Sequence, residues 1–152
     1  WASANNLLGE EERLPTVDEA IQLVADADWD NQQLLLNFEL IDEVYLYQHR
    51  FGFTLRDTNG NVINDFAELT LPAGKAKTDE IFGDVQVYFD RLDLALPLHS
   101  VPLVDTELEV RYQGCIEDTL CYSPTKKIIE FANPQPTKNR PMIRPRGWSF
   151  IH

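Results

Sequence analysis

The sequence predicts an all-β chain, an antiparallel β-sandwich of immunoglobulin-like size, and three observations carry that expectation. Apolar residues alternate with a period of two, most clearly where Leu34, Leu36, Phe38 and Leu40 oppose Leu35, Asn37 and Glu39. About six to eight short strand candidates recur at roughly ten-residue spacing, with no sustained helical period. The pair Asn59-Gly60 tolerates the positive φ of a tight hairpin turn and so predicts antiparallel neighbours. A closed barrel is the rival architecture.

Taken in order, residues 1–13 with Glu10-Glu11-Glu12 read as a solvated lead-in. Thr16 and Glu19 have capping-box spacing, and Val17, Ala20, Ile21 and Val24 could form a short helical stripe, although Ile21 and Leu23 fit a strand equally well. Strands are expected at 34–40, 44–55, 81–89, 91–96, 107–113 and 127–131, each rich in aromatic or branched residues. Arg56-Asp57-Thr58-Asn59-Gly60-Asn61 is the clearest turn and Pro72-Ala73-Gly74 a further break. Four prolines between 134 and 145 prevent helix or central-strand pairing, so 133–152 reads as a linker or tail, with Trp148, Phe150 and Ile151 available for docking. One folded domain, 14–132, is expected between these ends.

The 152 residues hold 25 acids and 13 bases, a net charge of −12. The tail carries Lys138, Arg140, Arg144 and Arg146 without an acid, which marks a boundary. A hydrophobic fraction of 43% supports an ordinary core and excludes global disorder. The acidity disfavours nucleic acid and anionic membrane surfaces, which need clustered Lys and Arg. No apolar run is long enough to span a bilayer, the nearest, 92–104, being broken by Asp93, Pro97, His99 and Pro102. The chain starts at Trp1 without a basic-then-apolar leader, which predicts a processed protein or an excised fragment; Ala2-Ser3-Ala4 has the spacing of an export cleavage site, against chance occurrence.

Chemistry centres on the only two cysteines, Cys115 and Cys121. Gly114 permits a sharp turn before them and Pro124 restrains the exit, so they flank a short loop within disulfide reach. The chain-entropy relation gives such a loop roughly 2.4 kcal/mol of stabilisation, too close to that of longer loops to separate a structural bridge from a redox pair. Both readings stay open from spacing alone. Metal is the weakest reading, since His49, His99 and His152 have no ligand spacing relative to the cysteines; no metal or cofactor is expected. A Ser-His-Asp site lacks G-x-S-x-G support. Thr78-Asp79-Glu80-Ile81-Phe82-Gly83 and Glu43-Val44-Tyr45-Leu46-Tyr47 read by themselves as ordinary sandwich parts, a solvated acidic turn and one strand face.

The ordered set Y-x-G-C-x5-C-Y-x-P, with D-E-x-F-G and Y-L-Y upstream, resembles the N-terminal periplasmic domain of DsbD, the transmembrane thiol:disulfide interchange reductase. The resemblance runs from about Leu14 to Phe131. It implies an immunoglobulin-like sandwich with a cap loop over a redox cysteine pair, in a periplasmic domain of an inner-membrane protein. Such a domain accepts electrons from the C-terminal thioredoxin-like domain of the same polypeptide. It passes them to thioredoxin-fold partners such as DsbC, DsbG and the cytochrome c maturation thioredoxin.

Carried over, the resemblance implies that Cys121 forms the mixed disulfide with partners and Cys115 resolves it. Asp79, Glu80, Ile81 and Phe82 would form the cap, with Ile81 at the shielding position, and Tyr45 and Tyr47 would wall the pocket. Isoleucine excludes water without offering an aromatic face to sulfur, so looser shielding is expected. Phe82 stands where the family often has Tyr, and Ser123 replaces one proline of C-Y-P-P. Negative charge at Asp79 and Glu80 close to the sulfurs would disfavour a thiolate and slow the free domain. A non-catalytic exported immunoglobulin-like binding module with a structural disulfide is the alternative function.

Overall fold

The alternation at residues 34–40 becomes strand β2 (Gln33–Leu40), in which Leu34, Leu36, Phe38 and Leu40 are buried while Leu35 and Glu39 are exposed. It lies between β1 (Ile21–Asp28) and β8 (Arg91–Pro97), antiparallel to both. The computed structural model describes residues 13–134. The lead-in, apart from Arg13, the Ala2-Ser3-Ala4 triplet, His152 and the tail beyond residue 134, with Trp148, Phe150 and Ile151, lie outside the described residues.

A second sheet has the order β12-β9-β4-β5, comprising β12 (Thr125–Phe131), β9 (Thr106–Tyr112), β4 (Gly52–Asp57) and β5 (Val62–Asn64). Its inward residues Phe53, Leu55, Leu108, Val110 and Tyr112 share one core with the inward residues of β1, β2 and β8. The Phe38 and Tyr112 rings meet edge-on across the layers, 5.4 Å apart, so two faces pack as a sandwich. The Asn59-Gly60 turn joins β4 to β5, with Gly60 at φ 88° and the Asp57 carboxylate accepting from the Asn59 and Asn61 N–H groups.

The third sheet positions the site. Its order is β11-β10-β3-β7-β6, comprising β11 (Leu120–Cys121), β10 (Gly114–Ile116), β3 (Val44–Tyr47), β7 (Gly83–Phe89) and β6 (Lys75–Asp79). One face supplies Val44, Leu46 and Tyr88 to the main core. The other carries a separate cluster of Tyr45, Tyr47, Val87 and Cys115, so β3 is buried on both sides.

Two expected strands are corrected. The run 44–55 is not continuous: a 3₁₀ turn at Gln48–Arg50 separates β3 from β4 and carries the chain from the third sheet to the second. The run 81–89 begins at Gly83, because Ile81 and Phe82 belong to the turn joining β6 to β7. At the start, Thr16 and Glu19 complete the capping box of α1 (Val17–Ala20), and β1 begins at Ile21. The ambiguous stretch is thus helix and strand in succession. Among the described residues, no helix is long and apolar enough to cross a membrane.

Candidate functional site

Strand β10 faces β11 with Cys115 and Cys121 as direct cross-strand partners, and they are joined as a disulfide with a Cα separation of 3.9 Å. Gly114 enables that placement: a Cβ there would sit 2.7 Å from Ile21 Cδ1 and 3.0 Å from the Tyr45 carbonyl oxygen. The two sulfurs have unequal surroundings. Cys115 is 1% exposed, whereas Cys121 is exposed on the edge strand.

Register continues across the sheet from Cys115 to Tyr45 and from Tyr45 to Phe89. Tyr47, two residues on, shares the face of Tyr45, and their rings meet edge-on at 5.5 Å. Both hydroxyls donate to Asp79 Oδ2, at 3.2 Å from Tyr45 and 2.6 Å from Tyr47. The other oxygen, Oδ1, accepts the backbone N–H groups of Ile81 at 2.7 Å and Phe82 at 2.9 Å. Asp79 is thus a buried carboxylate with four donors, which ties the β6–β7 turn to the tyrosine pair. Burial alone would raise its pKa, but the bonds from Tyr47, Phe82, Ile81 and Tyr45 outweigh burial and hold it below the usual carboxylate value. Burial, reinforced by the Asp79 charge, pushes both tyrosine hydroxyls upward.

The Tyr47 hydroxyl oxygen lies 3.1 Å from Cys115 Sγ and 3.5 Å from Cys121 Sγ. Bridged sulfurs carry no proton, and the Tyr47 proton is held by Asp79, so these are close contacts in the oxidised state. On reduction, a Cys115 S–H finds the Tyr47 oxygen as an acceptor already in place. The arrangement therefore accommodates a buried neutral thiol beside an exposed one.

The remaining expected residues fall around this centre. Glu80 is exposed, and Ile81, at 64% exposure, projects to solvent. Phe82, still 38% exposed, lies against neighbouring side chains, with its ring 5.0 Å from that of Tyr47 and 4.7 Å from that of His49, and with the Arg50 guanidinium 5.7 Å from its centroid. Lys77 reaches over the Tyr45 ring at 5.0 Å and pairs with Glu117 at 3.1 Å. Gln113 accepts from Arg50 and donates to the Tyr122 carbonyl, both at 3.0 Å, anchoring the segment after Cys121.

Arg50, Lys77 and Gln113 are not singled out by the sequence, and His49 enters there only as a metal ligand without the right spacing. The alternation Tyr45, Tyr47, His49 could have flagged His49; no local pattern marks Arg50. His99 lies far in sequence from this network, its N–H donating to Asn64. Among the described residues, no group of three or more His, Cys, Asp or Glu is placed to hold a metal ion.

Residues 11–133 match the family model described as thiol:disulfide interchange protein DsbD, N-terminal. The chain is 38% identical over 101 residues to thiol:disulfide interchange protein DsbD 1 of Pseudomonas aeruginosa, covering 66% of this chain and 16% of that protein. It is 31% identical over 128 residues to DsbD of Pseudoalteromonas atlantica, covering 84% and 20% respectively. The chain therefore spans a minor part of the relatives it matches. Among solved structures, the reduced DsbD N-terminal domain of Neisseria meningitidis aligns with TM-score 0.65 at 23% identity, over 81% of this chain and 92% of that one. The same organism's DsbD N-terminal domain in complex with the PilB N-terminal domain aligns with TM-score 0.57 at 22% identity, over 82% and 94%.

Proposed function

The chain belongs to the DsbD N-terminal domain family, and from that premise we propose that it carries out thiol:disulfide exchange in the periplasm through Cys121 and Cys115. The observation that carries the reading is the asymmetry of the pair: Cys121 is exposed on an edge strand while its bonded partner is 1% exposed. An incoming thiolate reaches Cys121 and not Cys115. Attack on a disulfide requires access to one sulfur, and the other leaves as the thiolate.

In the accepting half-cycle, a thiolate of an upstream thioredoxin-like domain attacks Cys121 Sγ. The Cys115–Cys121 bond breaks, Cys115 leaves and takes a proton, and a mixed disulfide remains. The second upstream thiol resolves that bond, so two electrons and two protons enter this domain. In the donating half-cycle, the Cys121 thiolate attacks a partner disulfide and expels a partner thiolate. Cys115 then attacks Cys121 Sγ, which restores the domain's disulfide and leaves the partner a dithiol. Holding Cys115 on the paired strand makes this last step intramolecular.

Asp79, Glu80, Ile81 and Phe82 act as the cap beside the pair, and Tyr45 and Tyr47 form its wall. The acidic residues keep the thiolate fraction low until a partner docks. The partners are thioredoxin-fold proteins, of the DsbC, DsbG and cytochrome c maturation kinds, together with the C-terminal thioredoxin-like domain of a DsbD polypeptide. Family membership supports a protein partner, and so does a solved complex of a domain with this fold.

The test mixes reduced Cys115→Ala with an oxidised DsbC-like protein and resolves the products by nonreducing electrophoresis and mass spectrometry. An adduct through Cys121 is expected. Failure to form one, together with a wild-type bridge that resists dithiol reductant in the folded state, would instead indicate a binding module with a structural disulfide.

A further inference from the structure

Tyr122, the residue after Cys121, is bonded at three points. Its N–H donates to the Gly114 carbonyl at 2.9 Å, its carbonyl accepts from Gln113 Nε2 at 3.0 Å, and its hydroxyl donates to the Pro15 carbonyl at 2.7 Å. The first two bonds reach the residues that lead into Cys115; the third reaches a segment 107 positions earlier in the chain. Burial, with Glu19 adding to it, pushes the Tyr122 hydroxyl upward, so it stays a donor at neutral pH.

The acceptor is itself held in place. The ring of Pro15 restricts its φ, and the next residue, Thr16, opens the capping box of α1. There the Glu19 N–H donates to Thr16 Oγ1 at 3.3 Å and the Thr16 N–H to Glu19 Oε1 at 2.9 Å. The helix is tied to the body by the ion pair of Asp18 with Lys127 on β12, at 2.5 Å, and by the Ile41 N–H on the Ala20 carbonyl at 3.1 Å. The Pro15 carbonyl is thus a fixed point against which the Tyr122 side chain is seated.

Cys121 lies where strand pairing runs out. Strand β11 has two residues, and its ladder with β10 consists of Cys121 opposite Cys115 and Leu120 opposite Ile116. Beyond Cys121 the chain leaves that sheet, passes through exposed Ser123 and Pro124, and joins another at Thr125 opposite Tyr112. So short an edge pairing is marginal by itself in water, and once the sulfur–sulfur bond opens, Tyr122 is the side chain that anchors this exit.

We propose that Tyr122 is a positioning residue for exchange: its hydroxyl, seated on the Pro15 carbonyl, keeps Cys121 opposite Cys115 while the bond between them is open and so raises the effective concentration of one thiol at the other. The inference rests on the exchange reading for the cysteine pair. In the closing step the Cys115 thiolate attacks Cys121 Sγ of a mixed disulfide, the new bond joins the two cysteines, and the departing thiolate takes the proton. Without the hydroxyl the reduced chain gains freedom at Cys121 that the oxidised chain cannot use, and this freedom favours the reduced form.

The experiment equilibrates the 152-residue chain with mixtures of reduced and oxidised glutathione, with no partner protein, and reads the reduced fraction by alkylation and mass spectrometry. Two glutathione thiols supply the two electrons and two protons that open the bridge and become one glutathione disulfide, so the midpoint gives the effective concentration. The variants are Tyr122→Phe, Thr16→Ala and the two together. Tyr122→Phe is expected to lower the effective concentration about twofold to tenfold, up to the worth of one hydrogen bond. Thr16→Ala, which loosens the segment presenting the Pro15 carbonyl, should lower it in the wild-type background and add nothing to Tyr122→Phe.

A merely structural bond would stabilise the oxidised and reduced chains alike, so an unchanged midpoint in Tyr122→Phe overturns the proposal even where urea denaturation shows lost stability. Effects that multiply in the double variant also overturn it, since Tyr122 would then not act through the Pro15 segment. A wild-type bridge that no glutathione ratio opens removes the exchange reading and the proposal with it. The mixed-disulfide trap keeps the two apart: a failed trap with the expected midpoints removes exchange with such partners and leaves the anchor, whereas a successful trap with unchanged midpoints does the reverse.

Discussion

The Tyr47 hydroxyl donates to Asp79 Oδ2 at 2.6 Å while its oxygen stands 3.1 Å from Cys115 Sγ, so a single phenol separates a buried carboxylate from a buried sulfur. The negative charge on Asp79 is therefore felt at the cysteine pair through a short, water-poor path. Such a charge disfavours thiolate formation.

Asp79→Asn should accordingly lower the pH midpoint for alkylation of Cys121 in the reduced domain by roughly one unit. Glu80→Gln should have a smaller effect, because Glu80 is exposed and its charge is screened. Iodoacetamide rates followed from about pH 6 to pH 11 check both. An unchanged profile in Asp79→Asn would remove the electrostatic restraint from the mechanism.

Asp79 also predicts how stability responds to acid. Its folded pKa lies below the ordinary value, so the folded state binds the proton less readily than the unfolded chain. The stabilisation is then present above the unfolded value, about pH 4, and is lost as pH falls through the folded value. Urea midpoints of the oxidised domain should drop on that acid limb, and Asp79→Asn should flatten the drop while lowering stability near neutrality by about 1–3 kcal/mol.

Gly114→Ala should destabilise the domain by about 1–3 kcal/mol. The added methyl meets Ile21 Cδ1 at 2.7 Å, which a side chain can partly relieve, but also the Tyr45 carbonyl at 3.0 Å, which is held in the β3–β10 ladder. Chemical denaturation of the oxidised protein measures the loss. Because the strain falls next to Cys115, the variant's rate of reduction should rise as well.

Tyr112→Phe tests the core away from the site. The Tyr112 hydroxyl is buried without a hydrogen-bond partner among the described residues, and burial, with a smaller contribution from Asp18, pushes it up to about 12. An unpaired buried hydroxyl costs free energy that phenylalanine does not incur. The substitution should leave stability unchanged or raise it by up to about 1 kcal/mol, as read by urea denaturation.

The elements legible in the sequence are those whose burial differs between their two faces. Strand β2 declares itself because Leu34, Leu36 and Phe38 are buried while alternate residues face water. The break at Gln48–Arg50 leaves no such trace, since both flanking strands are apolar and the chain only changes sheets there. Strand β6 is an edge strand of largely exposed residues, Lys75 to Thr78, and its polar pattern resembles a loop. Within the site, cysteine spacing and Y-L-Y were visible, as was the acidic turn. The contacts of Phe82 with His49 and Arg50 were not, because they depend on a turn whose position no local pattern fixes.

Hydrogen bonds as well as the covalent link hold β10 and β11 in place. The N–H of Tyr122 donates to the Gly114 carbonyl at 2.9 Å, that of Thr119 to Ile116 at 3.0 Å, and that of Glu117 to Glu43 at 2.8 Å. The two cysteines are six positions apart along the chain, and the ladder holds their strands side by side. On the proposed exchange reading, reduction would release one bond in a site that these hydrogen bonds also hold, so little reorganisation is expected with each two-electron transfer. On that reading the domain's shape and electron content are largely uncoupled, and a partner would recognise its redox state at the sulfurs rather than from a distant conformational signal.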